Sequence, residues 1–335
     1  MNNIIENKRN IIWINTGRAL SIIGIYIAHC NFYYLNLESA ALLFTNLFRI
    51  SFFYFISGFL FFRSLEKYSR KEKFQKILNK LLWPAIFFPS LIWLPKMIAH
   101  GNVIDLESFV VNIFGGIATW FVSSIIVGQL LLLLILYVIK KYIYTLAVSF
   151  VLFLLAFYLN NINPDPFPWY YKSGMIGAFF LSLGGGLYKY VNNIEKYISI
   201  KSLLISGIAC IIMHIYCFNY NIYQNIMSVD YDNILLGLFN NLLGIFFMIQ
   251  LCHYIPEIKW LQYIGKNSIV FYFFGGGVPL VMGYLVRTYI PFQGYLMTIL
   301  VTILCLFIVF PINYIIKRYF AWTLDFSKIT NLFKR

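Results

Sequence analysis

Arg18 and His29 stand eleven residues apart in the largely apolar run Asn15-Thr-Gly-Arg-Ala-Leu-Ser-Ile-Ile-Gly-Ile-Tyr-Ile-Ala-His-Cys30. On a helix, eleven steps make three turns plus roughly 20°, and about 16 Å of rise, so both side chains line one stripe. Arg49 follows in the next apolar run, eight residues before Ser57-Gly58. A guanidinium holds anions through paired, charge-assisted donors. An imidazole gives and takes protons near neutral pH. A charge inside hydrocarbon costs about 2.5–3.5 kcal/mol on insertion scales, so each such group needs a reason. Taken singly, Arg18 has the alternative of snorkelling to the interface, and His29 that of a packing histidine. Taken together, three ionisable groups on two adjacent runs, with no carboxylate among them, point to an anionic or polar ligand.

The elements that carry these residues must be membrane spans. Of the 335 residues, 61% are hydrophobic and 11% charged, against about a quarter charged in soluble domains. Apolar stretches near 20 residues match a hydrocarbon layer roughly 30 Å thick. The expected fold is an all-α integral membrane protein, a polytopic bundle of about ten helices near 11–34, 40–62, 81–99, 119–139, 143–159, 173–191, 202–220, 233–255, 267–286 and 295–316. Residues 1–335 read as a single membrane-embedded domain with no soluble appendage, and the first span as retained because no small-x-small cleavage site follows it.

The net charge of +14 raises the question of nucleic acid, and its distribution answers it. Twenty-one of the 26 basic residues fall on one side: Lys8 and Arg9, seven from Arg63 to Lys80, Lys140 and Lys141, Lys189, Lys196, Lys201, Lys259, Lys266, and five from Lys317 to Arg335. The opposite segments carry Glu38, Asp105, Glu107, Asp165, Asp230 and Asp232. Positive loops stay cytoplasmic, which puts both termini in the cytoplasm and removes the need for a nucleic acid partner. Arg18 then sits in the cytoplasmic third of its span and His29 in the outer third. The basic run from Arg63 to Lys80 needs no more than its topogenic and lipid-headgroup role.

The outer segments 100–118 and 160–172 are long enough to shape an entrance, and the three prolines of the second forbid a continuous helix. Its aromatics suit the interface belt or a sugar-facing surface. Pro84, Pro89 and Pro95 predict an irregular third span. Gly184–Gly186 and Gly275–Gly277 thin two others, either for a cavity or for close packing. Cys30, Cys210, Cys217, Cys252 and Cys305 show no metal-type spacing and read as small hydrophobes. No metal site is expected. His100 reads as solvated; His214 and His253 are pocket or packing residues.

An arginine and a histidine separated by ten residues in the first span resemble the signature of membrane acyltransferase family 3. The run Arg49-Ile-Ser-Phe-Phe-Tyr-Phe-Ile-Ser57-Gly58 looks like that family's arginine, aromatic run and Ser-Gly. Thr119-Trp120-Phe121 is similar to its Trp-Phe segment. Gly265-Lys-Asn-Ser268-Ile-Val-Phe-Tyr272 resembles its Gly-x-x-Ser-x-x-x-Tyr element. The four matches keep the family's order. Where many relatives have a second histidine after that tyrosine, this chain has Phe274 and Gly275, so no role for it carries over. Some relatives add a C-terminal esterase-like domain, without which this chain works alone or borrows a partner.

The resemblance implies an O-acyltransferase, transferring groups other than aminoacyl groups, in the bacterial plasma (inner) membrane. Its donor would be acyl-coenzyme A, most often acetyl-coenzyme A, used as a substrate with no bound cofactor. Its acceptor would be an envelope glycan or lipid-linked sugar, reached among membrane lipids. His29 and Arg49 are the expected catalytic residues, as general base and oxyanion or acceptor contact; an acyl-histidine is the less favoured variant. Arg18, Ser57, Trp120 and Ser268 are the expected substrate-binding residues, with Arg18 on the coenzyme A phosphates. A membrane transporter or glycolipid flippase is the rival. Proton-coupled carriers keep an acid in the bundle, and none of the 12 acidic residues lies mid-span.

Overall fold

The computed structural model of the chain describes residues 2–35, 44–100, 104–290 and 294–331. Glu38, residues 40–43 of the second expected span, residues 101–103, Lys334 and Arg335 lie outside the described residues, as do the side chains of Lys8, Arg9 and His100. The fold is helical: α1 Asn2–Cys30, α2 Arg49–Leu65, α3 Arg70–Ile77, α4 Trp83–His100, α5 Leu106–Ile113, α6 Trp120–Val138, α7 Tyr142–Ile162, α8 Tyr171–Ile194, α9 Ile200–Asn219, α10 Ile234–Tyr254, α11 Lys259–Lys266, α12 Ser268–Tyr289 and α13 Tyr295–Tyr319. Among the described residues, seven helical stretches are long and apolar enough to cross a membrane. They are Arg70–Leu94, Ile117–Val138 and the helices α7, α9, α10, α12 and α13. Helices α1, α2 and α8 occupy the places of the remaining expected spans. The protein is an all-α, multi-pass membrane protein.

Two compact units divide the chain. The first comprises Met1–Ile56, Asn192–Tyr223 and Asp232–Tyr314; the second comprises Ser57–Val191, Gln224–Tyr231 and Ile315–Arg335. The first unit is held by polar contacts between apolar helices as well as by packing. Tyr26 donates its hydroxyl to the Phe271 carbonyl at 2.8 Å, and the buried Cys30 and Cys305 thiols meet at 4.0 Å. Asn240 Nδ2 donates to Cys217 Sγ. With lipid as apolar as any core, such contacts and close backbone approach do much of the work of helix association.

The second unit has an aromatic core where Phe150, Phe153, Phe179 and Phe180 interlock across α7 and α8. Beside them Ser149 and Ser182 share a hydrogen bond of 2.6 Å, and Tyr142 donates to the Ser182 carbonyl. The residues that follow α13 fold back onto the start of α4. Trp83 donates to the Trp322 carbonyl at 3.0 Å, and Lys80 pairs with Asp325 at 3.4 Å. Partial burial works against the Asp325 carboxylate, but the Ser327 hydrogen bond and the Lys80 charge outweigh it and lower the pKa.

One local feature departs from the sequence reading and two add to it. The prolines do not break the third span; the irregularity lies just before them, in a π turn over Leu78–Leu82. Pro84 has no N–H and its ring crowds the carbonyl four residues back, and a widened turn relieves that conflict. Residues 106–113 form the helix α5, capped by Asp105, whose carboxylate accepts from the Ser108 N–H. A two-residue hairpin pairs Gln224 with Tyr231 and Asn225 with Asp230. Asn160 and Ser173 anchor it by donating to the Val229 and Met227 carbonyls.

The glycine runs serve packing in part. Gly185 faces Phe62, Gly186 faces Tyr142 and Gly275 faces Tyr26, whereas side chains at Gly276 and Gly277 would meet nothing within 4 Å. Gly58 marks a close helix contact in the second unit, where a Cβ would collide with the Leu181 carbonyl. Backbone cannot yield as a flexible side chain does. Gly58→Ala is therefore expected to destabilise the protein by roughly 1–3 kcal/mol through overpacking, read as a lowered unfolding temperature in detergent. An unchanged midpoint would mean that α2 and α8 do not approach this closely.

Candidate functional site

Four of the six residues singled out by the sequence lie in the first unit: Arg18, His29, Arg49 and Ser268. Three of them are arranged along one pair of helices. Arg18 Nη2 donates to Ser268 Oγ at 2.6 Å, where α12 begins. Further along α1, Tyr26 bonds the Phe271 carbonyl and lies against Gly275. Tyr33, in the π turn Asn31–Leu35 that extends α1, packs on Gly283. The successive contacts of residues 18, 26 and 33 with residues 268, 271–275 and 283 make α1 and α12 run side by side in the same direction.

His29 sits between the last two of these contacts. Its ring is half-buried and stacks on Tyr33, with centroids 5.9 Å apart and planes 13° from parallel. Arg18, Tyr26, His29 and Tyr33 thus follow one another at steps that keep them near a single stripe, the geometry that eleven-residue spacing requires. Arg18 is half-buried and contacts the nearly inaccessible Ser268.

Arg49 opens α2. Its Nη1 donates to Asn46 Oδ1, while its Nε is buried with no hydrogen-bond partner among the described residues. A buried donor without a partner carries a desolvation cost of about 1–3 kcal/mol, more for a charged group. One turn further, Phe52, with Ile56, faces Gly17, the residue before Arg18. The structure therefore brings α2 against α1 at the arginine, with Arg49 one turn away from that contact.

Ser57 and Trp120 fall in the second unit. Ser57 is half-buried beside the Gly58 contact. Trp120 is the first residue of α6 and is also half-buried. Its ring lies 6.1 Å from that of Tyr170 and 5.5 Å from that of Phe121. The segment leading to it is built tightly. Trp169 donates its N–H to the Gly115 carbonyl, and Trp169 and Tyr170 adopt positive φ of 59° and 49°, which non-glycine residues rarely occupy. Gly116, at φ 75°, leaves room for the Trp169 ring.

His214 and His253 make ring contacts of their own. His214 meets Phe44 edge-on at 5.5 Å. His253 stacks on Trp13 at 5.0 Å, and its Nδ1 bonds the Ile249 carbonyl at 2.7 Å.

Sequence reading missed Gln262, Asn15 and Thr16, all buried. Gln262 lies on α11, in a stretch read as a connection between spans. Its Nε2 donates to the Ile12 carbonyl and Thr16 Oγ1, and its Oε1 accepts from Asn15 Nδ2. Two polar residues heading an apolar run, Asn15 and Thr16, were the signal available, since buried amides and hydroxyls require partners.

A family model described as an acyltransferase domain matches residues 11–318. No curated protein and no solved structure matches the chain. The match takes in α1 from its first described side chains through to α13, and with it every residue of the stripe and its partners. This chain belongs to membrane acyltransferase family 3 and is a membrane acyltransferase.

Proposed function

We propose that this acyltransferase is an O-acyltransferase using acetyl-coenzyme A or a related acyl-coenzyme A on the cytoplasmic side. Its acceptor is a hydroxyl of a cell-envelope glycan, such as O-antigen, capsule or exopolysaccharide, free or lipid-linked. It works in a bacterial inner membrane with ten spans and both termini cytoplasmic, an orientation supported by the one-sided distribution of lysine and arginine. The observation that carries the reading is the stripe on α1. A guanidinium bonded to Ser268 stands three turns from an imidazole stacked on Tyr33.

That separation suits an anionic donor whose phosphates stay at the inner face and whose thioester reaches inward along a flexible arm. Arg18 holds the phosphates through charge-assisted bonds. His29 takes the proton from the acceptor hydroxyl as its oxygen attacks the thioester carbonyl. The tetrahedral oxyanion then collapses, the C–S bond breaks, and the imidazolium returns the proton to the departing thiolate. The products are an O-ester and free coenzyme A. Arg49, whose buried Nε has no hydrogen-bond partner among the described residues, offers a positive donor to the oxyanion or the acceptor. Ser268 holds Arg18.

Radiolabelled acetyl-coenzyme A, offered to proteoliposomes with envelope glycan, is expected to leave label on the glycan in an ester that mild alkali removes. Translocation of the glycan without label would replace the enzyme by a transporter or flippase.

A further inference from the structure

We propose that Gln262 is a positioning residue that sets the rotation of α1 and thereby aims the Arg18 guanidinium. This inference rests on the reading above, in which Arg18 holds the anionic part of the donor.

The side chain of Gln262 is 5% exposed, and every hydrogen bond it makes goes to α1. Nε2 donates to the Ile12 carbonyl at 3.0 Å and to Thr16 Oγ1 at 2.9 Å, and Oε1 accepts from Asn15 Nδ2 at 3.0 Å. Both amide hydrogens and the oxygen are thus used, and their three partners lie within one turn and a residue of one another. Thr16 Oγ1 also donates to the Ile12 carbonyl at 3.0 Å, so the amide closes a small network on the α1 surface.

Three residues further on, Gly265 brings α11 against the same turn: a Cβ there would collide with the Asn15 carbonyl. Three more residues lead to Ser268, which accepts from Arg18 at 2.6 Å. Residues 262, 265 and 268 therefore engage α1 successively at residues 12–16, at residue 15 and at residue 18.

Apolar packing would hold these helices together without fixing their rotation. A leucine fills nearly the volume of a glutamine and brings no polar group of its own, while the buried Asn15 amide loses its acceptor. Directed hydrogen bonds to two side chains and a carbonyl permit one rotation and one register. A turn of about 20° about the α1 axis, the drift of a helix over one heptad, carries a guanidinium at the end of its side chain by roughly 2 Å. Misplacement by 1 Å is enough to cost about a hundredfold where groups must meet in a set geometry.

The test measures donor and acceptor dependence separately for wild type and Gln262→Leu in proteoliposomes. KM for acetyl-coenzyme A should rise about tenfold, with acceptor KM unchanged and kcat within about twofold. In an Arg18→Ala background the same substitution should add no further donor defect, because there is no guanidinium left to aim. Thr16→Val, nearly isosteric, removes one partner of Gln262 and should shift donor KM in the same direction by about two- to threefold; it keeps the test sound if Gln262→Leu fails to fold. Equal effects on donor and acceptor, or full additivity with Arg18→Ala, would reduce Gln262 to a structural residue and overturn the proposal. A wild type that neither uses acetyl-coenzyme A nor gains thermal stability from coenzyme A would instead remove the donor reading, and this role for Gln262 with it.

Discussion

His29→Ala is expected to lower acyl transfer by about 10²–10⁴-fold, the usual contribution of a positioned general acid or base, while the protein still inserts and remains monodisperse in detergent. Among its contacts, the half-buried ring stacks on Tyr33 at 5.9 Å, and such a pair is worth about 0.5–1.5 kcal/mol. Losing it does not unfold a chain held by contacts all along α1 and α12. The assay is label transferred from acetyl-coenzyme A to glycan per mole of purified protein. Tyr33→Phe keeps the stacked ring and should stay within a few-fold of wild type, which separates loss of the imidazole from loss of packing. Full activity in His29→Ala would take the proton-transfer role from His29 and leave Arg49 and water to be tried in its place.

The membrane class was legible because it depends on composition alone: hydrocarbon accepts a helix of about 20 apolar residues, whatever its neighbours. The stripe was legible for the same local reason, since eleven-residue spacing fixes the angle between Arg18 and His29 before any partner is known. What the stripe faces was not legible. Ser268 is 250 residues from Arg18 in the chain, and no periodicity within either segment names the other.

The glycine run at 275–277 shows the same limit inside a single motif. Packing accounts for Gly275, set against Tyr26, but not for its two neighbours. Helix α11 was hidden because it is short and carries Lys259 and Lys266 at its ends, so it reads as a basic connection. Its buried Gln262 becomes visible only when the face toward α1 is known. Arg49, read as lying inside a span that begins at residue 40, opens an aromatic helix, and its Asn46 partner lies just beyond the edge of the motif. Ser57 and Trp120 belong to the second unit, a division that a list of motifs in chain order does not contain.

Arg18→Lys should weaken donor use far more than acceptor use. The two side chains carry the same charge but not the same donors: a guanidinium presents five N–H groups in a planar fork, an ammonium three on a compact, strongly hydrated head. In the resting protein one of those five is already spent on Ser268 at 2.6 Å, and the fork still leaves a pair free for a phosphate. A lysine that keeps the Ser268 bond points its charge at the hydroxyl, and one that turns to the phosphate abandons it. KM for acetyl-coenzyme A is accordingly expected to rise about 10- to 100-fold, the loss of roughly 1.4–2.8 kcal/mol at a tenfold change per 1.4 kcal/mol. Acceptor KM and the turnover of bound donor should change little if, as proposed, the acceptor is met at the His29 end, about 16 Å of helix away. Ser268→Ala, which frees the guanidinium without altering it, should produce a smaller shift in the same constant. Initial rates over a grid of both substrates read all of these values at once. If the two Michaelis constants rose together in Arg18→Lys, the guanidinium would be supporting the fold of α1 rather than the donor, and the anionic end of the substrate would have to be sought among the other basic residues.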